Sequence, residues 1–75
     1  MRLNAPKIEL LMAEKRLKAG VVARRMGVSQ GRFSQIMNEA RKGHAPNPWT
    51  IGRLAWALRV SVTEIIVNEE ERREE

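Results

Sequence analysis

The stretch over residues 17–38 constrains this chain most, because it predicts two helices joined by a tight turn. Apolar residues recur at helical spacing up to Met26 and give the first helix one buried face. Gly27 follows at once, where the end of a helix favours a residue that tolerates positive φ. Ser29 then offers a side-chain oxygen to cap a second helix, and Phe33 begins the buried stripe of that helix.

The outer face of this second helix carries hydrogen-bonding groups and a cation but no acid. The helix begins at about Gln30 and can continue through Arg41, because Gly43 is the next clear stop. Its outward residues are Gln30, Gly31, Arg32, Ser34 and Gln35. A polar, acid-free helix after a short turn on a basic domain matches what reading a DNA major groove requires. The plainer interpretation is an ordinary polar surface helix.

Charge is divided unevenly along the 75 residues, whose net charge is +5. Residues 1–63 hold twelve lysines and arginines against three glutamates, a net charge of +9. Residues 64–75 hold two arginines against six glutamates, a net charge of −4. The basic body favours a polyanionic partner. Length predicts one small domain, residues 1–67, followed by a charged C-terminal tail, residues 68–75.

A wider pattern of residues in this chain resembles the sequence pattern of one known protein family. The pattern consists of Ala23, Met26–Ser29, Phe33, Ile36, Leu54, Ala55, Ala57, Leu58, Val60 and Ser61. In their order and nearly in their spacing they resemble the Cro/repressor-type (Xre-like) helix-turn-helix domain, similar to lambdoid phage repressors, over roughly residues 5–66. The resemblance implies an all-α, compact five-helix bundle, the lambda-repressor-like DNA-binding domain. It also implies a small transcriptional regulator, a repressor, that binds operator DNA as a homodimer.

The resemblance further implies which residues contact double-stranded DNA. Gln30 and Gln35 match positions that read bases in lambdoid phage repressors, and the base-reading set is Gln30, Gly31, Arg32, Ser34 and Gln35. Lys18 stands where the family often has a Ser or Thr cap, and it can replace the usual phosphate clamp as a point charge. The predicted phosphate contacts are Lys18, Arg24, Asn38, Arg41 and Lys42.

Local signals also set the other helices. Asn4 and Asn47 are N-cap residues, and each is followed by a proline in the first helical turn. Ser61 and Glu64 form a capping box, which predicts that a fifth helix starts there. The apolar residues of that helix are Val62, Ile65 and Ile66.

Two tryptophans, Trp49 and Trp56, are seven residues apart and lie opposite the buried face of the fourth helix. Together with the fifth helix they give the predicted dimer or partner contact: Trp49, Trp56, Val62, Ile65 and Ile66. Alternatively, Trp49 packs on the long preceding loop and Trp56 on the C-terminal tail. The alternative function is a protein-interaction module that binds a toxin, as an antitoxin does, or a polymerase subunit.

The residue inventory argues against an enzyme. The chain has one histidine, His44, and no cysteine, aspartate or tyrosine from which to build a reactive site. We expect His44 in a solvated loop, with no metal and no cofactor. The absence of cysteine, of a signal peptide and of a long apolar run predicts a cytoplasmic protein that does not enter a membrane.

The resemblance makes one structural prediction about methionines. Phage repressors of this family often pair an Arg on the first helix with a Glu at the end of the third, and the matching positions here are Met12 and Met37. We therefore expect these two side chains to touch, so that an apolar contact replaces an ion pair whose desolvation is costly. The flexible thioether of Met suits such a gap.

Overall fold

The computed structural model describes residues 1–67 of the chain. This part folds into four α-helices: α1 (Ala5–Lys15), α2 (Ala19–Met26), α3 (Gln30–Arg41) and α4 (Pro48–Leu58). Within residues 1–67 there is no β-strand, only one isolated bridge between Leu3 and Ile66. The prediction of an all-α fold is therefore confirmed, and the predicted tail, residues 68–75, lies outside the described residues.

The starts of α1 and α4 confirm the predicted caps. The Asn4 side chain accepts a hydrogen bond from the Lys7 amide at 3.2 Å, and a proline lies in the first turn of α1. The Asn47 side chain likewise accepts from the Thr50 amide at 2.8 Å, ahead of Pro48. Each cap satisfies one of the amides that a helix start leaves without a partner.

The turn between α2 and α3 also follows the sequence signals. Gly27 has φ +79°, and its amide bonds back to the last turn of α2. A Cβ at this position would lie 2.6 Å from Nη2 of Arg53, but that atom is the far end of a flexible side chain, so it is the positive φ that requires glycine. Ser29 Oγ then accepts a hydrogen bond from the Arg32 amide at 3.0 Å and starts α3.

Helix α2 lies at the centre of the packing, since it contacts both α3 and α4, while α1 packs on α3. All four helices contribute to one apolar core, and no polar or charged residue within residues 1–67 is buried. The largest fully buried side chains are Ile8, Val22, Met26, Ile51, Leu54, Leu58 and Ile65. This core fixes the orientation of α3, so the outward residues of α3 are held on a rigid element.

The predicted fifth helix is wrong for the residues the structure describes. Only a single 3-10 turn, Val62–Glu64, forms there, and the Ser61 side chain makes no capping bond. Its hydroxyl lies 2.8 Å from that of Thr63 instead. The following backbone pairs with the N-terminal segment: the Asn4 amide donates to the Ile65 carbonyl, and the Val67 amide donates to the Arg2 carbonyl, both at 2.8 Å.

This pairing explains the difference from the sequence expectation. The carbonyl of Ile65 and the amide of Val67 are occupied by the N-terminal segment, which offers them an alternative to helical bonds. Ile65 itself is fully buried (0% exposed). The sequence predicts Ile65 as a dimer or partner contact, but the structure places it in the core, while Val62 and Ile66 are partly buried against that core.

The two serines give a matched test of capping. Ser29→Ala is expected to lower the free energy of unfolding by about 0.5–2 kcal/mol, because the Arg32 amide loses its acceptor. Ser61→Ala, which removes no capping bond, is expected to have a smaller effect. Urea unfolding of both variants measures the difference, and equal losses would contradict the assignment of the caps.

Candidate nucleic-acid interface

The outer face of α3 presents the predicted base-reading residues to solvent. Gln30, Gly31, Arg32, Ser34 and Gln35 are all exposed, whereas the opposite side of the helix is buried in the core. No acidic residue lies among these five positions. The surface therefore offers donors, acceptors and one cation on a helix that the core holds in place.

Two of these side chains are bound to each other. Nη1 of Arg32 donates a hydrogen bond to Oε1 of Gln35 at 3.1 Å, across one helical turn. The bond orders both exposed side chains, and it turns the Gln35 amide so that the NH₂ group is directed away from the Arg32 guanidinium. A carbonyl oxygen can accept two hydrogen bonds, so the Gln35 oxygen keeps one acceptor site.

Gln30 lies against the beginning of α2. A Cβ built on Gly20 would be 3.2 Å from Oε1 of Gln30, a contact tighter than ordinary packing. Gly20 weakens the first turn of α2, yet its missing side chain leaves space for the amide of Gln30. The starts of α2 and α3 are thereby brought side by side, an arrangement that sequence spacing alone did not reveal.

Three exposed cations lie on α2 or at the ends of α2 and α3. Lys18 is the N-cap residue of α2, Arg24 is exposed on α2, and Lys42 caps the end of α3. None of these three makes an ion pair with another residue between positions 1 and 67. Their charges are therefore available to an external anion.

Arg41 and Asn38, the other two predicted phosphate contacts, are joined to each other and to α1. Nη1 of Arg41 donates to Oδ1 of Asn38 at 2.9 Å, and Nη2 forms an ion pair with Glu9 on α1. The side chains of Arg41 and Glu9 are each about half exposed. The sequence gives no signal for Glu9 as a partner of Arg41, since the two residues are 32 positions apart and no local spacing indicates the pair.

This pair links α1 to α3, and the sequence predicts that Met12 and Met37 provide that link. Met12 and Met37 line one surface cavity together with Glu9 and Arg41, and Met37 is buried. The ion pair is thus present near the methionines, with the acid on α1 and the base on α3. Direct contact between the two sulfur-containing side chains stays a prediction.

The ion pair is expected to contribute modestly to stability. In a double-mutant cycle of Glu9→Gln and Arg41→Gln, we expect a coupling free energy of about 0.2–1 kcal/mol that shrinks as salt is added, since both side chains are half exposed. Thermal or urea unfolding at low and high salt measures this coupling. A coupling well above that range, or one insensitive to salt, would contradict the prediction.

His44 lies in the loop after α3, as predicted, and contacts one acidic side chain. Its Nδ1 is 2.6 Å from Oε1 of Glu39, and the His44 amide donates to the Glu39 carbonyl at 2.9 Å. These bonds dock the loop on the end of α3. Between residues 1 and 67 no group of three His, Cys, Asp or Glu residues is placed to hold a metal ion, and no helix there is long and apolar enough to cross a membrane.

The two tryptophans lie on a different element from the α3 residues. Trp49 and Trp56 on α4 are each 69% exposed. The guanidinium of Arg53 lies over the Trp49 ring, 4.5 Å from its centre, so this ring packs on an arginine of its own helix. The alternative contact of Trp56 with the tail falls outside the described residues.

Comparison with known proteins adds no family assignment. No protein-family model, curated protein sequence or solved structure matches this chain.

Proposed function

We propose that the protein binds double-stranded DNA sequence-specifically, as a small transcriptional regulator of the Cro/repressor type acting in the cytoplasm. In this proposal α2 and α3 form a helix-turn-helix, and α3 is the recognition helix. The observation that carries it is the exposed outer face of the first half of α3, which combines Gln30, Arg32 and Gln35 and has no acid among residues 30–35; Glu39, further along α3, contacts His44. Such a face suits the donor and acceptor pattern of the major groove.

Base reading follows from the chemistry of the three side chains. Arginine donates two hydrogen bonds to guanine O6 and N7, and glutamine pairs with adenine N6 and N7. The bond between Arg32 and Gln35 restricts both side chains before DNA arrives, so less rotamer freedom is lost on binding. Gly31 has no side chain to offer, and it lets the backbone of α3 approach the groove closely.

Phosphate binding is assigned to the cations around α3. Lys18, Arg24 and Lys42 are exposed and without ion pairs among residues 1–67, so they are the primary phosphate contacts. Arg41 must share its guanidinium between Glu9, Asn38 and a phosphate. The net charge of +9 over residues 1–63 favours association with DNA of any sequence and makes it dependent on salt.

One recognition helix supplies few base contacts, so we extend the proposal to a homodimer on DNA. Two copies would place two α3 helices in successive major grooves on one side of the duplex, with half-site centres about 10–10.5 base pairs apart. A dimer makes twice as many DNA contacts as one protomer, which gives a domain of this size a higher affinity for its DNA site.

Selection of bound sites from random duplex DNA tests the proposal. We expect one enriched motif with two symmetry-related half-sites, and an affinity that falls steeply as salt rises. A selection that enriches no sequence, together with binding that is insensitive to salt, would contradict DNA recognition. An enriched site without internal symmetry, bound by one protomer, would contradict the dimer only.

A further inference from the structure

The outer side of α4 presents an exposed surface that DNA reading by α3 does not use. Trp49 and Trp56 project from it two helical turns apart, each 69% exposed. Together with Arg25, Gly52 and Arg53 they line one open groove of about 390 Å³. We call these five residues the tryptophan face. Two large, exposed indoles on one small domain are unusual unless another molecule covers them.

The arginines of the tryptophan face are held in place by the fold. The Arg53 guanidinium stacks on the Trp49 ring at 4.5 Å, and Nη1 of Arg25 donates to the Ala57 carbonyl at 2.9 Å. Arg25 thereby connects α2 to the last turn of α4. Side chains ordered in advance lose little freedom when a ligand binds, which favours binding at this surface.

Gly52 is the residue that the fold explains least. It lies in the interior of α4, where glycine destabilises a helix relative to alanine. Apart from the backbone of its own helix, a Cβ built there would meet no atom of residues 1–67 within 4 Å, so packing within this part of the chain does not require a glycine. Its effect is to leave a notch on the helix surface between Trp49 and Trp56.

We propose that the tryptophan face docks an acidic segment of a partner protein. An apolar side chain of that segment enters the notch over Gly52, between the two indoles, and its carboxylates pair with Arg25 and Arg53. Tryptophan and arginine are the residue types that contribute most to protein–protein affinity. The inference goes beyond DNA binding and does not depend on it.

Charge is what identifies the occupant. Among residues 1–67, the groove is lined by two arginines and by no acidic residue. A second copy of the chain, meeting this face with the same face across a twofold axis, would bring arginines towards arginines. An acidic segment removes that repulsion and supplies partners for both guanidinium groups. A protein ligand is also favoured over nucleic acid because one side of the Trp49 ring is already covered by Arg53, which leaves less surface for base stacking.

The test uses the full chain and a displayed library of random peptides. We expect the enriched peptides to be acidic and to contain an aromatic or branched aliphatic residue. Because Trp49 and Trp56 are the only tryptophans, their fluorescence reports binding directly, and the synthetic form of an enriched peptide should shift the emission to shorter wavelength. Trp56→Ala and Arg53→Gln should each weaken that peptide by about tenfold or more. Leu10→Ala, which removes an exposed apolar side chain from α1, is the matched control and should leave peptide binding unchanged.

Gly52→Ala separates docking from folding. This change should raise the thermal stability of the protein, because alanine favours the helix, and yet weaken peptide binding by about tenfold, because the notch is filled. If the Gly52→Ala variant gained stability and bound the peptide as tightly as the parent protein does, the notch would have no role in docking.

Several other results would overturn the docking of an acidic segment on the tryptophan face. Enriched peptides without acidic residues, or equal binding by the Trp56→Ala variant, would overturn the proposal. The proposal would also be overturned if sedimentation showed that the protein self-associates and that Trp56→Ala abolishes the self-association. It would likewise be overturned if single-stranded oligothymidylate quenched the fluorescence of both tryptophans and bound the Trp56→Ala variant more weakly. Failure of DNA recognition is detected separately, since Gln35→Ala changes the selected duplex site and leaves peptide binding intact.

Discussion

Ile65→Ala is expected to lower the free energy of unfolding by about 2–5 kcal/mol, the range for removing a buried isoleucine side chain from a core. Ile65 is fully buried, and the segment that carries it is joined to the N-terminus through the bond from the Asn4 amide. Small domains have a total stability of only about 5–15 kcal/mol, so this loss is a large share of the whole. Urea unfolding measures it, and the denaturant slope should stay unchanged if the native state keeps its compactness.

The neighbouring residue supplies the matched control. Ile66 has the same side chain one position later but is only partly buried, so Ile66→Ala should have a clearly smaller effect. If Ile65 instead belonged to a subunit contact, the loss caused by Ile65→Ala would depend on protein concentration. Equal effects of the two changes, or an effect of Ile65→Ala that vanishes on dilution, would contradict its assignment to the core.

The starts of α1, α3 and α4 could be predicted because the signals that set them are local. Asn4, Ser29 and Asn47 each bond an amide three residues ahead, and the sequence shows such a cap directly. Gly27 ends α2 for a similar reason, as its positive φ is a property of one residue. The apolar spacing that predicts the buried faces of α2 and α4 is equally local.

The segment after α4 could not be predicted in this way. Ser61 and Glu64 have the spacing of a capping box, and that local signal favours a helix. The competing interaction is a bridge between Leu3 and Ile66, near opposite ends of the described chain. No pattern within a short window encodes such a pairing, and an apolar Ile65 is compatible with either outcome.

In the candidate site, too, features set by residues close in sequence could be predicted, whereas features set by tertiary packing could not. Which residues of α3 are exposed follows from helical periodicity, and the bond between Arg32 and Gln35 has the three-residue spacing at which helix side chains meet. The space that Gly20 leaves for Gln30 depends on how α2 packs on α3. That packing is a property of the tertiary structure, so the sequence alone indicates only that Gly20 destabilises the first turn of α2.

Loss of the glutamines is expected to have the second large effect, on DNA recognition. Gln35→Ala and Gln30→Ala should each cost about 1–3 kcal/mol of specific binding and relax the preference at one base pair. Under the proposed function, Gln35→Ala would remove a base contact and also the acceptor that orients Arg32, so its loss should exceed that of Gln30→Ala. Titration of each variant with the selected duplex, and with duplexes altered at single base pairs, measures both the affinity and the preference.

Lys42→Ala is the contrasting change, because Lys42 is an exposed cation assigned to the phosphate backbone. Phosphates carry no sequence information, so this variant should bind every duplex more weakly by a similar factor, and its salt slope should fall by about one. The glutamine variants should keep the salt slope of the parent, because they remove no charge. If Gln35→Ala and Lys42→Ala gave the same pattern, with sequence preference untouched in both, α3 could not be the helix that reads the bases. Gln30, Gln35 and Lys42 are all exposed, so none of the three substitutions should unfold the protein. Urea unfolding of each variant checks this, and any change in DNA binding can then be attributed to the proposed DNA interface.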